Sequence, residues 1–172
     1  KLSYGKSGFS GEIGHFPLLD NDQICHCGKT GCLETGASGS AIHRIFTEKL
    51  REGRASLLSE KFSRGEEVSL VDILNAVNEE DVLAIEVVEE IGTVLGRALA
   101  GLINIFNPEL VVIGGDVATV QEYLLLPVKS AIQKHSLNIV NKDTSIKFSK
   151  LGEKAGPIGA CMLSRSKLLG LM

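Results

Sequence analysis

No part of this sequence is dominated by lysine and arginine. Its 18 basic residues are outnumbered by 21 acidic ones, for a formal net charge of -3. The segment therefore offers little attraction for a phosphate backbone, and any DNA contact is expected only through an N-terminal domain absent from it. Long apolar runs are missing too. The most apolar stretch, residues 98–115, is interrupted by Asn104, Asn107, Pro108 and Glu109, so no membrane span is expected. No basic-then-apolar leader opens the chain, which points to a cytoplasmic protein. There is no internal repeat and no initiating methionine. The opening stretch KLSYGKSGFSGEIGH reads as the end of a strand and its turn, so a start in mid-protein is expected.

What is present suits one soluble domain. The chain has 172 residues, 44% hydrophobic and 23% charged, enough to bury a sizeable core but too short for two ordinary domains. Residues 1–37 hold seven of the 19 glycines and three of the four cysteines. Hydrophobic periodicity is weak there, so a loop-rich structure pinned by something other than a core is expected.

From Ser38 the pattern turns helical. Apolar positions at Ile42, Ile45, Phe46 and Leu50 follow a small capping residue, and Gly53 stops the run. A shorter helix is expected from Ser69 through Ile73 and Val77. Asn78 then offers a cap for a long helix of about 27 residues, roughly 40 Å, striped by Ala84, Val88, Ile91, Leu95, Ala98, Leu102 and Phe106 as far as Asn107-Pro108. This stripe is a candidate oligomer surface. After the proline, ELVVIGGD has the pattern of a buried strand opening into a loop, and residues 121–135 read as another helix. SIKFSKL reads as a half-buried strand and AGPIGACMLSRSKLLGL as a closing helix. The reading is α/β in the second half and irregular in the first, with Cys161 as a small core residue.

His15, Cys25, Cys27 and Cys32 form the pattern H-x9-C-x-C-x4-C, with Gly28 and Gly31 letting the backbone curl between the last two thiols. Such a donor set suits tetrahedral zinc, and with all four positions filled by protein the ion would be structural. A disulfide, unpaired buried thiols, or His15 as an ordinary turn residue are the alternatives. A Cys25–Cys27 disulfide would close a strained ring, and other pairings strand a thiol. His26, between two ligands, could compete for the metal, although its side chain should point away from theirs.

At this point GEIGHFPLLDNDQICHCGKTGCLETGAS resembles the signature of the ROK family of bacterial sugar-responsive repressors and sugar kinases. The match is close over these residues and looser at the IGGD strand end and the final Ala-Gly-x-x-Gly-Ala helix. The resemblance implies an actin-like ATPase, ribonuclease H-like fold, of which residues 1–172 would be the C-terminal lobe. A zinc loop would lie within 11–37 and the helical and α/β part within 38–172, with the N-terminal lobe and any DNA-binding domain elsewhere. It further implies that Glu12 and Glu34 accept hydrogen bonds from sugar hydroxyls, and that His15 contacts the sugar through the ring nitrogen that zinc leaves free. Gly114 and Gly115 resemble the nucleotide-side turn of the family, and Gly156 and Gly159 its adenine-side helix start.

The family's catalytic aspartate, in an Asn-Asp pair upstream of the Gly-rich stretch, and its first phosphate loop have no counterpart here. Asn21-Asp22 falls inside the presumed zinc loop, where a turn accounts for it better. The resemblance therefore implies a parent of one of two kinds. One is a transcriptional regulator responding to a monosaccharide or amino sugar, toward which the nine-residue spacer between His15 and Cys25 leans. The other is a glucokinase or N-acetylhexosamine kinase, which alone would need ATP and magnesium. A homo-oligomer is expected in either case. A purely structural zinc-stapled interaction module would leave Glu12 and Glu34 without a purpose.

Overall fold

The computed structural model describes residues 3–170. Helix α1 (Gly39–Arg51) begins where Ser38 accepts a hydrogen bond from the Ala41 amide, and Ala41, Ile42, Phe46 and Leu50 form its buried face. A short helix α2 (Ser59–Ser63), not expected from the sequence, follows. Helix α3 (Leu70–Asn78) opens with a reciprocal capping box between Ser69 and Asp72.

The long helix α4 (Val82–Phe106) is capped by Asp81, not by Asn78, which is the last residue of α3. Glu80 takes a positive φ of 63° and turns the chain between the two helices. The Asp81 carboxylate, only 4% exposed, accepts from the Ala84 amide at 2.8 Å and from the Leu57 amide at 2.6 Å. One buried acid thereby starts α4 and clips the preceding loop to it.

The apolar stripe of α4 also departs from expectation in its second half. Burial passes through Leu99, Ala100 and Ile103, whereas Phe106 is 71% exposed. The cause is helix α5 (Gln121–His135), whose backbone lies against Gly92 and Gly96. A Cβ on Gly96 would meet the Val128 carbonyl oxygen at 2.6 Å and the Ala131 Cβ at 2.7 Å. Close approach at these glycines, and not large side chains, sets which face of α4 is covered. The helix ends at Asn107, in the left-handed region, just before Pro108.

Strands β1 (Leu110–Ile113) and β2 (Ser145–Phe148) pair in parallel, Leu110 opposite Ser145 and Ile113 opposite Phe148. They are joined through α5 and the one-turn helix α6 (Asn138–Asn141). The expected burial of β1 is not met. Helices cover only the face carrying Val111, Ile113, Ile146 and Phe148, while Leu110 and Val112 remain 46% and 56% exposed. The chain closes with helix α7 (Ala155–Leu168), which includes Gly156 and Gly159. It has no buried residue, and Cys161, expected in the core, is exposed because α7 packs chiefly on the turn Gly152–Lys154. The first half is irregular only as far as residue 38, since helices α1 to α3 and the start of α4 occupy the rest of it. No helix is long and apolar enough to cross a membrane among the described residues.

Two outcomes follow for stability in urea. Gly96→Ala should cost about 1–3 kcal/mol through overpacking against α5, despite a better helix propensity. Gly101→Ala, with nothing within 4 Å of the added methyl group, should instead gain about 0.5–1 kcal/mol. The Asp72 carboxyl is held down to about 2, first by the Lys61 ammonium group 2.7 Å away and then by Ser69. Because the folded pKa is depressed below an unfolded value of about 3.9, the pair's contribution is present above that value and lost as pH falls toward 2. Lys61→Met should therefore be less stable than the wild type at pH 6, by about 1 kcal/mol or less, and should converge with it near pH 2.

Candidate metal centre and ligand loop

The segment from Ile13 to Gly36 folds back on itself through few hydrogen bonds. The Leu18 and Leu19 amides both donate to the Gly31 carbonyl, at 2.9 and 3.0 Å, and the Leu33 amide donates to Phe16 at 3.0 Å. Bridges at Pro17–Cys32 and Ile24–Thr30 complete the frame. Gly31 has φ +76° and its ideal Cβ would sit 2.7 Å from the Leu19 oxygen, so only glycine allows this return. A second tight turn, at Gly28 with φ +83°, is closed by the Gly28 amide donating to Cys25 and the Cys25 amide to Lys29, both at 2.8 Å.

These turns gather the four residues singled out in the sequence. The donor atoms of His15, Cys25, Cys27 and Cys32 all lie within 4.8 Å of one another. His15 presents Nδ1, 3.6 Å from Cys25 Sγ, and Cys27 Sγ is 3.6 Å from Cys32 Sγ. A tetrahedron built on metal–sulfur bonds of about 2.3 Å has edges of about 3.8 Å, so both distances match tetrahedral edges. The group could hold a metal ion. His26 is outside it and lines a neighbouring cavity of about 160 Å³ with Glu34 and Arg44.

The thiols differ electrostatically. Burial pushes the Cys32 thiol up to about 11, reinforced by Cys27 and Cys25, whereas the backbone around Lys29 holds the Cys27 thiol below its ordinary value. Cys25 and Cys32 are buried while His15 and Cys27 are exposed.

Glu12 precedes the 3-10 turn Ile13–His15 and is exposed. Glu34 lies in the 3-10 turn Leu33–Thr35, directly after Cys32. A Cβ on Gly14 would stand 2.9 Å from Glu34 Oε2, so the Gly-Glu-x-Gly-His turn and the Cys-Leu-Glu turn are in contact through the glycine. Neither carboxylate has an ion-pair partner among the described residues. Sequence reasoning missed the supports beneath them. The Thr35 hydroxyl donates to the Cys32 carbonyl at 2.8 Å, Arg44 Nη2 donates to the Thr35 carbonyl at 3.0 Å, and Asn21 Nδ2 reaches the Thr35 hydroxyl at 3.4 Å. Only the Thr and Asn near the cysteines could have hinted at this, because Arg44 comes from the next helix.

Gly114 and Gly115, after β1, stand apart from the cysteine group. They line a cavity of about 230 Å³ with Ala37, Ser38 and Gly39, the residues that lead into α1. The two regions thus flank the same helix start.

The ROK family profile matches residues 1–167. The glucokinase of Halalkalibacterium halodurans is 37% identical over 167 residues, covering 96% of this chain and 51% of the enzyme. The N-acetylglucosamine repressor of Escherichia coli O157:H7 is 31% identical over 172 residues, covering 100% of this chain and 41% of the repressor. Among solved structures, a ROK family glucokinase from Streptomyces griseus in complex with glucose and AMPPNP superposes with a TM-score of 0.85 at 28% identity, over 96% of this chain and 55% of that one. This chain spans about half the length of the relatives it matches.

The donor geometry has a direct test. Cobalt(II) added to chelator-stripped protein should bind one ion per chain and give thiolate charge-transfer absorption, lost in Cys32→Ser. Since binding must displace the raised Cys32 proton, affinity should fall as pH is lowered. Full-strength binding by the Cys32→Ser variant would remove that thiol from the site.

Proposed function

The chain belongs to the ROK family, and from that premise we propose that it is the sugar-binding, zinc-organised C-terminal lobe of a ROK transcriptional regulator. The observation that carries the reading is the contact of the two motif turns. The histidine-bearing turn ends in a member of the four-donor set, and the glutamate-bearing turn begins one residue after another member of that set. His15, Cys25, Cys27 and Cys32 would hold zinc, which supplies a rigid cross-link between the turns when bound. His15 offers Nδ1 to the metal set, so Nε2 carries the ring proton and can donate to a hydroxyl. Glu12 and Glu34 accept from neighbouring hydroxyls, and a carboxylate so engaged discriminates strongly against an analogue that leaves it unpaired.

The ligand class is a monosaccharide or amino sugar. The nine-residue spacer from His15 to Cys25 and the repressor match over the whole chain favour the regulator. In that protein the sugar acts by binding one arrangement of the lobes more tightly than another, and DNA is contacted by a separate domain. A second reading, the corresponding lobe of an ATP-dependent sugar kinase, is favoured by the 37% identity to a glucokinase. In that case Gly114 and Gly115 would approach the nucleotide, and the same acids would position the attacking hydroxyl. A homo-oligomer in the cytoplasm suits both.

In the protein that carries this chain, Glu34→Gln should weaken sugar binding by about 1 kcal/mol or more, the scale of a charged hydrogen bond, and leave folding intact. Calorimetry with glucose and N-acetylglucosamine reads this directly, and unchanged affinity would take Glu34 out of the site. Zinc should be present at one per chain in protein purified without a histidine tag. Turnover of hexose and ATP, set against sugar-dependent release of operator DNA, separates the two parents.

A further inference from the structure

The three sulfurs of the metal-binding group differ in how they meet solvent. Cys25 and Cys32 are 3% and 1% exposed, whereas Cys27 is exposed. An oxidant arriving from water therefore reaches Cys27 first. Its sulfur lies 3.6 Å from that of Cys32, and Gly28 and Gly31, both at positive φ, fold the intervening segment into a tight return. A disulfide requires about 2.05 Å between sulfurs, so the pair is already nearly side by side. Cys25 is the poorer partner for Cys27, since only His26 separates them and the ring would be strained. Cys161 is also exposed but lies on α7, outside this group.

We propose that Cys27 is a hydroperoxide-reactive modification site, and that Cys32 resolves its oxidation to a Cys27–Cys32 disulfide that dismantles the metal-binding set. Within a filled site the sulfurs are thiolates by coordination. The Cys27 thiolate attacks one peroxide oxygen: the S–O bond forms, the O–O bond breaks, and the departing hydroxide takes a proton to leave as water. The Cys32 thiolate then attacks the Cys27 sulfur, forming S–S and breaking S–O, and the second hydroxide also leaves as water. Two thiols have lost two electrons and the peroxide has gained them. Only His15 and Cys25 remain as ligands, too few to hold a tetrahedral ion. Because Cys32 directly precedes the turn that carries Glu34, the acid loses its anchor at the same moment.

Release of zinc rests on the metal assignment proposed above, whereas the side-by-side placement of the two sulfurs, from which the disulfide forms, does not. The test treats the intact chain, as purified, with hydrogen peroxide. It reads zinc with a chromogenic chelator and maps peptides without reduction, with differential alkylation at all four cysteines. The expected result is a Cys27–Cys32 linked peptide appearing together with zinc, reversed by dithiothreitol and added zinc. In Cys27→Ser, peroxide-driven loss of the free Cys32 thiol, read by alkylation, should slow about tenfold or more, while Cys161→Ser leaves both zinc release and the linkage unchanged. Zinc release without that linkage, a linkage through Cys25, or oxidation confined to Cys161 overturns the proposal and spares the metal assignment. A chain that holds no zinc yet forms the linkage sinks the metal assignment and sustains the modification site. Should Cys27→Ser fold poorly, the wild-type peptide map decides alone.

Discussion

The convergence of one imidazole and three thiols within 4.8 Å is the constraint on which the first fifth of this molecule depends. Residues 3–24 contain no buried side chain, so no hydrophobic core fixes their path. A few backbone bonds and two glycine turns shape the return of the chain, but bonds of this kind contribute little each and are readily exchanged for water. Covalent-strength ligation at four points would make the loop a single rigid body. The catalogue of supports around Thr35 then extends that rigidity into α1 through Arg44.

The remainder is organised by α4, about 37 Å long, against which α1, α3 and α5 pack. Its two glycines at the α5 crossing let backbones meet where side chains ordinarily intervene. That contact commits one face of the helix and leaves the C-terminal aromatic outside. The start of α1 is the hinge of the functional geography. Ahead of it lies the turn with Glu34, and beside it lies the cavity bounded by Gly114 and Gly115.

The exposed face of β1 and the bare helix α7 fit the same description. A parallel sheet is normally covered on both faces, and here helices cover only one. ROK relatives are about twice as long as this chain, and both a glucokinase and a repressor match nearly all of it.

Features set by neighbours in sequence were legible without coordinates. Ser38 and Ser69 marked the starts of their helices, because a cap acts over three residues. The four metal-type donors announced themselves through residue type and spacing, since thiols and an imidazole so close together have few other uses. The limits of α1, α3 and α5 were likewise local. Tertiary structure alone decided the rest. Asp81 outcompeted Asn78 as a cap because it also satisfies the amide of Leu57, far back along the chain. Nothing local to the chain marks Gly92 and Gly96, whose role comes only from the crossing of α5. Cys161 and β1 looked like core because apolar neighbours cannot say whether another layer will cover them. The meeting of Gly14 with Glu34, which brings the two motifs into contact, exists only once the chain has returned on itself.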